Sequence, residues 1–321
     1  MKRSTLTLPY LLAMLVLAGC FGGGGGEPAP PMRPSDIARD TMDAGLEAFG
    51  QHNFANASLL FERSYQEFRS YDDAAGMTAA LMNRAEIDLL MGETVAAGRR
   101  LASARTLVDR DALAHFAARL SYMEARQAQQ AGDAEAAGAR LEAARAAAGS
   151  DDQLALMLDL LAADLALHAD PATAEAQVAT LLDRTEGRGD ATAARVQRLR
   201  ADLAIAQDQP AEALDALRAA LADYQAAEYR PGIAATHETW AMLLRAQEDW
   251  AGVADHLTRA IAVRLWMSDR VHTASDLDTL AEANSALGQE ERANAFRRVR
   301  DYLRGDSDVD WGRVRASLAG Y

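Results

Sequence analysis

Lysine is almost missing from this sequence of 321 residues: Lys2 is the only one, so 32 of the 33 basic residues are arginine. Beyond position 2 there is no lysine for a Schiff base, a Ser–Lys dyad or a phosphate-binding P-loop. Cysteine is as scarce. Cys20 stands alone, which excludes an intramolecular disulfide and any multi-cysteine metal site. Aromatic residues make up 6%, and several of the eight prolines crowd near the N-terminus, leaving long stretches without a helix breaker. A sheet favours β-branched and aromatic side chains. What the chain offers instead is abundant alanine, the strongest helix former, within an apolar fraction of 50%. An all-α fold is expected. The formal net charge is −14, and loss of Lys2 and Arg3 with a leader would take it to −16 (−14 less 2). That balance argues against nucleic acid or an anionic lipid surface as a partner.

Residues 1–20 read in three parts: a charged start at Lys2 and Arg3, an apolar stretch over 6–17 broken by Thr7 and Pro9, and a small-residue site, Leu17-Ala18-Gly19-Cys20. A membrane span needs about 20 predominantly apolar residues, so this segment is a leader. The last four residues resemble the lipobox of bacterial lipoproteins. The resemblance implies a signal peptide over 1–19, diacylglycerol on the Cys20 thiol, cleavage after Gly19 and acylation of the new amino terminus. Several acyl chains on one residue make a stable anchor. By analogy with lipoprotein sorting, Phe21 in place of aspartate points to the outer membrane, with the chain facing the periplasm. Residues 20–36 then form a tether: five glycines give a flexible joint and four prolines favour extended geometry, with a reach of at most about 50 Å over fifteen residues.

From there to residue 304 the sequence repeats. Gly45 precedes Ala57 by twelve residues, with Phe54 three before that alanine and Phe61 four after it. Gly92-Glu93 leads to Ala97, Leu101 and Ala104; Gly132-Asp133 leads to Ala137, Leu141 and Ala144. Asp208-Gln209-Pro210 leads to Ala213, and Asp249-Trp250 to Val253; weaker copies centre on Ala174 and Ala293. These anchors are separated by 40, 40, 37, 39, 40 and 40 residues. The pattern of small and aromatic positions resembles the tetratricopeptide repeat, although that unit is shorter, at about 34 residues. The resemblance implies about seven helical hairpins stacked into a right-handed superhelix, each burying its apolar face on its neighbours. Residues 305–321, with Trp311, are expected to cap the last unit.

Little in the sequence points to chemistry. His237-Glu238 starts like a zinc-binding HExxH string, but Ala241 stands where the second histidine belongs. Asp111 with His115, and Asp164 with His168, are four apart and read as surface pairs. Residues 306–310 open like a calcium loop, yet Trp311 and Ser317 occupy the places of the required glycine and glutamate. Neither metal, cofactor nor catalysis is expected.

The expected function is a membrane-anchored periplasmic scaffold or assembly factor, with a periplasmic or outer-membrane protein as partner. The alternative is an accessory to solute uptake that binds a transporter component or a ligand within the superhelix. In tetratricopeptide arrays the first helix of each unit lines the concave face. The resemblance places Arg119, Tyr122 and Arg126 there in the third unit, Arg195 and Arg198 in the fifth, and Glu238, Met242 and Arg245 in the sixth. Arginines along an inner wall suit an acidic partner segment or a C-terminal carboxylate.

Overall fold

The computed structural model describes residues 33–305 and 308–319. The leader, the lipobox with Cys20 and nearly all of the tether lie outside the described residues. Within these limits the chain is helical throughout, with no strand. The helices are α1 (Pro34–Gly50), α2 (Phe54–Arg69), α3 (Ala74–Leu90), α4 (Thr94–Arg110), α5 (Ala117–Gln130), α6 (Ala134–Ala147), α7 (Asp152–Ala169) and α8 (Pro171–Thr185). They continue with α9 (Ala191–Ala206), α10 (Pro210–Ala226), α11 (Arg230–Ala246), α12 (Trp250–Met267), α13 (Arg270–Ala286), α14 (Glu290–Gly305) and α15 (Trp311–Leu318). A 3-10 turn, Ala114–Phe116, precedes α5. The array starts at Pro34, three residues earlier than the sequence suggests. Proline costs nothing there, because the first-turn N–H it lacks has no partner inside a helix.

Consecutive helices pair into seven hairpins, α1/α2 through α13/α14, followed by α15. Each sequence anchor falls on the second helix of its hairpin. Ala57, Ala97, Ala137, Ala174, Ala213, Val253 and Ala293 are all completely buried. Alanine fits there because the facing helix comes close, and a larger side chain would hold it off. Gly45 illustrates the approach: a Cβ at that position would lie 2.7 Å from the Phe61 ring.

One turn geometry joins most helices. At residues 52, 72, 92, 112, 132, 208, 228, 248, 268 and 288 the backbone is left-handed. The residue after each donates its N–H to the carbonyl five positions back, as in Asn53 to Ala48, Asp133 to Ala128 and Asp269 to Arg264. This closes the helix end with a Schellman-type bond. The same residue is often an aspartate or asparagine whose side chain caps the next helix, as at Asn53, Asp73, Asp133, Asp249 and Asp269. The fourth unit departs from this. A single residue, Asp170, ends α7 and caps α8, and it is there that the anchor spacing falls to 37.

Stacking of the hairpins leaves a run of core clusters along the array rather than one centre, as expected for a solenoid. At the far end Val314 of α15 is buried in the last cluster, with Trp311 and Leu318 packed at its edge. The array also curls back on itself. Arg230 of α11 donates to the carbonyl of Gln51 at 3.2 Å, and Arg270 of α13 donates to Glu93 at 2.8 Å. These contacts span 179 and 177 residues, about four and a half units at 40 residues each. Met267, at the end of α12, is buried in the cluster formed by α1, α2 and α3.

Candidate functional site

Because early and late units touch, the concave side of the array surrounds a cavity of about 620 Å3. Its wall is built mainly from first helices: Glu86 of α3, Tyr122 and Arg126 of α5, Asp164 of α7, Arg195 and Arg198 of α9, and Glu238 of α11 all line it. Hairpin geometry explains the choice. Second helices carry the anchors that pack between units, while first helices turn one face inward. Tyr224, Tyr229 and Arg264 reach the cavity from the ends of second helices and the turns after them.

Of the eight groove residues expected from the sequence, five line this cavity: Tyr122, Arg126, Arg195, Arg198 and Glu238. Arg119 lines an adjoining smaller cavity, which Tyr122 shares. Met242 and Arg245 are corrections. Neither lines either of these cavities: Met242 is 62% exposed, and Arg245 pairs with Glu282 of α13 at 2.8 Å, both side chains open to solvent. Both lie further along α11 than Glu238, where the helix has left the inner wall.

Most of the interior charge is neutralised within the wall. Arg126 donates to both oxygens of Glu86 at 2.7 Å. Burial works to raise the Glu86 pKa, but the Arg126 charge and hydrogen bond hold it below the usual carboxylate range. Arg198 donates to Asp202 at 3.2 Å. Arg195 makes no hydrogen bond or ion pair with any described residue.

A second group sits where α11, α12 and α13 meet. Arg264 is 3% exposed and is ion-paired with Glu238 and Asp276, with Asp269 at 4.0 Å. Burial pushes the Asp276 carboxyl up to about 7, against the pull of Arg264. Glu238, also subject to desolvation, is held below its ordinary value by Arg264. His272 Nδ1 lies 2.8 Å from Asp269; desolvation lowers its pKa, and the bond to Asp269 more than reverses that. Sequence reasoning missed Arg264, Asp269, Asp276, Glu86 and Tyr229. The repeat pattern marks which helix faces inward, but not which second-helix side chain is long enough to reach around.

No two histidines stand one helical turn apart in the sequence. The structure joins His237 of α11 to His256 of α12, Nδ1 to Nδ1 at 3.0 Å, with Trp240 stacked on His256. Burial lowers the His237 pKa to about 4 and also lowers that of His256. Two neutral rings sharing one proton account for this contact. Among the described residues no three ligating side chains gather as a metal site. Asp111 pairs with Arg110 at 2.6 Å. Of the calcium-like string, 306 and 307 lie outside the described residues, and Asp310 caps α15 by accepting from the Arg313 N–H at 3.0 Å.

No family model and no curated protein matches the chain. Among solved structures, it is similar to a signal-transduction ATPase with numerous domains from Pyrococcus horikoshii, which carries a tetratricopeptide repeat sensor. That overlay has a TM-score of 0.53 at 14% identity and covers 89% of this chain and 46% of the other. The chain thus spans less than half of that ATPase, and the likeness is one of fold. BtubC (BKLC) from P. vanneervenii matches at 19% identity and TM-score 0.48, over 72% of this chain and 93% of that one. The apo form of RapI matches at 10% and 0.48, over 89% and 81%. The latter two are too distant to carry an argument. The fold is a tetratricopeptide-like solenoid.

Proposed function

We propose that the chain is a lipid-anchored, non-catalytic scaffold of the cell envelope that holds a segment of a periplasmic or outer-membrane protein inside its superhelix. The anchor in this reading is Cys20, and the outer membrane is its destination. The observation that carries the binding half is Arg195: a half-buried guanidinium on the concave wall with no hydrogen bond or ion pair to any described residue, one helical turn from Arg198, which is held by Asp202 and Tyr224. A guanidinium grips a carboxylate with two parallel hydrogen bonds, so the captured segment is acidic or presents its C-terminal carboxylate. A chain that is acidic overall would otherwise repel such a segment.

The solute-uptake reading keeps one observation in its favour. The cavity volume lies in the range of small-molecule sites, roughly 300–1,000 Å3, and the contact between early and late units screens it from the side.

Charge reversal tests the proposal. Arg195→Glu with Arg198→Glu should abolish capture of the partner from solubilised envelopes. Arg218→Glu with Arg259→Glu, both on exposed outer faces beside their own aspartates, should not. Capture that survives the first pair and fails with the second would refute interior binding. Separately, Cys20→Ser should abolish labelling by a fatty-acid analogue, and persistent labelling would overturn the anchor.

A further inference from the structure

The smaller cavity, about 220 Å3, lies beside the main one and is enclosed by α1, α2, α3, α5 and α7. Its walls are largely apolar, with Leu46, Phe49, Phe61, Met123 and Met157 among them. Five polar side chains also line it: Asn83, Glu86, Arg119, Tyr122 and Tyr229. Two of these have hydrogen-bonding capacity to spare. Tyr122 is 1% exposed, and its hydroxyl is buried with no hydrogen-bond partner. A buried hydroxyl without a partner is unusual in a folded protein and calls for an explanation. Arg119 makes no hydrogen bond or ion pair with any described residue. The carboxylate it senses is Glu86, and both oxygens of Glu86 are already taken by Arg126. Glu86, in the same wall, is therefore engaged by Arg126, and the exposed Arg119 keeps its guanidinium donors available to a ligand at the mouth of the pocket.

We propose that this pocket is a binding site for a small amphipathic carboxylate, of the short-chain fatty or arylacetic type. Its apolar body lies among Leu46, Phe49, Phe61 and Met123, and its carboxylate accepts hydrogen bonds from the Tyr122 hydroxyl and the Arg119 guanidinium. The chemistry is selective. An amine would meet Arg119 with like charge. A neutral alcohol could satisfy Tyr122 but would leave Arg119 unpaired. A dianion without an apolar body would leave the ring-lined wall facing water or nothing. This site is separate from the capture of a protein segment on the Arg195 wall and does not depend on it.

Titration calorimetry on the purified full chain tests the proposal, with hexanoate and phenylacetate as probes and hexylamine and hexanol as comparisons. Both acids should bind saturably and the amine should not. Arg119→Gln should weaken hexanoate by about tenfold or more, since a charged hydrogen bond is lost. Tyr122→Phe should weaken it about fivefold and should fold normally, because it removes a hydroxyl that has no partner. Leu46→Trp, at a position 46% exposed, should fill the pocket from its rim and abolish binding without disturbing the core. Arg245→Gln, at a solvent-exposed pair outside this pocket, should change nothing. The absence of saturable binding by either acid would overturn the proposal, as would equal affinity in the wild type and Arg119→Gln. Because no partner protein is present, either failure leaves the scaffold reading standing.

Discussion

Replacing Arg264 with methionine offers a sharp test of how the sixth and seventh units hold together. Its guanidinium is 3% exposed and touches carboxylates from both flanking helices, Glu238 and Asp276, with Asp269 at 4.0 Å. It also donates to the carbonyl of His272 at 3.3 Å. Methionine preserves much of the volume, so the loss is electrostatic. Breaking a buried pair by removing one partner costs about 3–5 kcal/mol, because the other charge is left uncompensated. Asp276 limits the damage: already pushed up to about 7, it takes a proton at neutral pH once Arg264 is gone. Glu238, which Arg264 chiefly holds below its ordinary value against desolvation, loses that support, and the expected cost stays within that range. Solenoids open unit by unit, so a single unfolding midpoint would average the effect. Hydrogen exchange resolves it: amides of α11–α13 should lose protection by the full amount, while those of α1–α3 change little. Adding Asp276→Asn should recover part of the loss, since the two side chains interact. A loss below about 1 kcal/mol, the scale of an exposed pair, or strict additivity in the double variant, would refute the reasoning.

Two further outcomes follow from local geometry. In Gly232→Ala the new Cβ would sit 2.3–2.5 Å from the buried Tyr224 ring, so the unfolding midpoint should fall by the equivalent of about 1–3 kcal/mol despite alanine's better helix propensity. Gly138→Ala, with open space around it, should instead stabilise by about 0.5–1 kcal/mol; equal effects at both sites would remove packing as the cause. The pH profile of thermal unfolding should show a maximum near neutrality. Asp276, pushed up to about 7 in the folded chain from an ordinary 3.8, contributes stability that falls as pH rises between those values. His272, whose folded pKa is raised, adds stability that is complete below 6.5 and lost as pH rises through its folded value. His52, His237 and His256 act oppositely: their folded pKa values are lowered, so their stability is present above 6.5 and lost on acidification, for His237 down to about 4. Asp276→Asn removes a contribution that opposes the rise toward neutrality and should therefore steepen the limb below pH 7; an unchanged profile would show that this carboxyl does not hold a proton in the folded state.

The hairpin array was legible because packing between neighbouring helices is local. Ala57, Ala97 and their equivalents must be small wherever two helices cross closely, so a recurrence near 40 residues announced both the fold and the number of units. Turn positions were less legible. Only three of the ten left-handed turn residues are glycine; His52, Asp72, Ala112, Asp208, Glu228, Glu248 and Ser268 adopt the same backbone, forced into it by the bond each turn closes rather than by their own preference. The register of the inner wall was readable near the middle of each first helix, where Tyr122, Arg126 and Arg195 fall. It failed at Met242 and Arg245 because a straight helix against a curved cavity cannot face inward along its whole length. The closure of early units on late ones was illegible. Curvature accumulates from small rotations at every interface, and no local pattern encodes the meeting of Glu93 with Arg270.

That closure bears on how anything reaches the interior. The contacts that make it include the Glu93–Arg270 pair at 2.8 Å, the Arg230 contacts with Gln51 and His52, the His52–Tyr229 ring contact at 5.4 Å, the approach of Val271 and His272 to Gly92 and the buried Met267 side chain. A half-exposed ion pair contributes about 0–1 kcal/mol, and a fully buried methionine about 1.5–3 kcal/mol. Parting this seam therefore costs a few kcal/mol at most, well below what holds any one hairpin together through its own core. The Arg264 cluster lies beside the seam, and Arg270 follows Asp269 directly in the chain. The two halves of the arrangement thus divide the work. The anchor alanines and the Arg264 cluster hold successive units together, while the seam rests on a small set of side-chain contacts. In the scaffold reading proposed above, a partner segment too long to thread the axis enters there, past Tyr229, onto the wall that Arg195 lines.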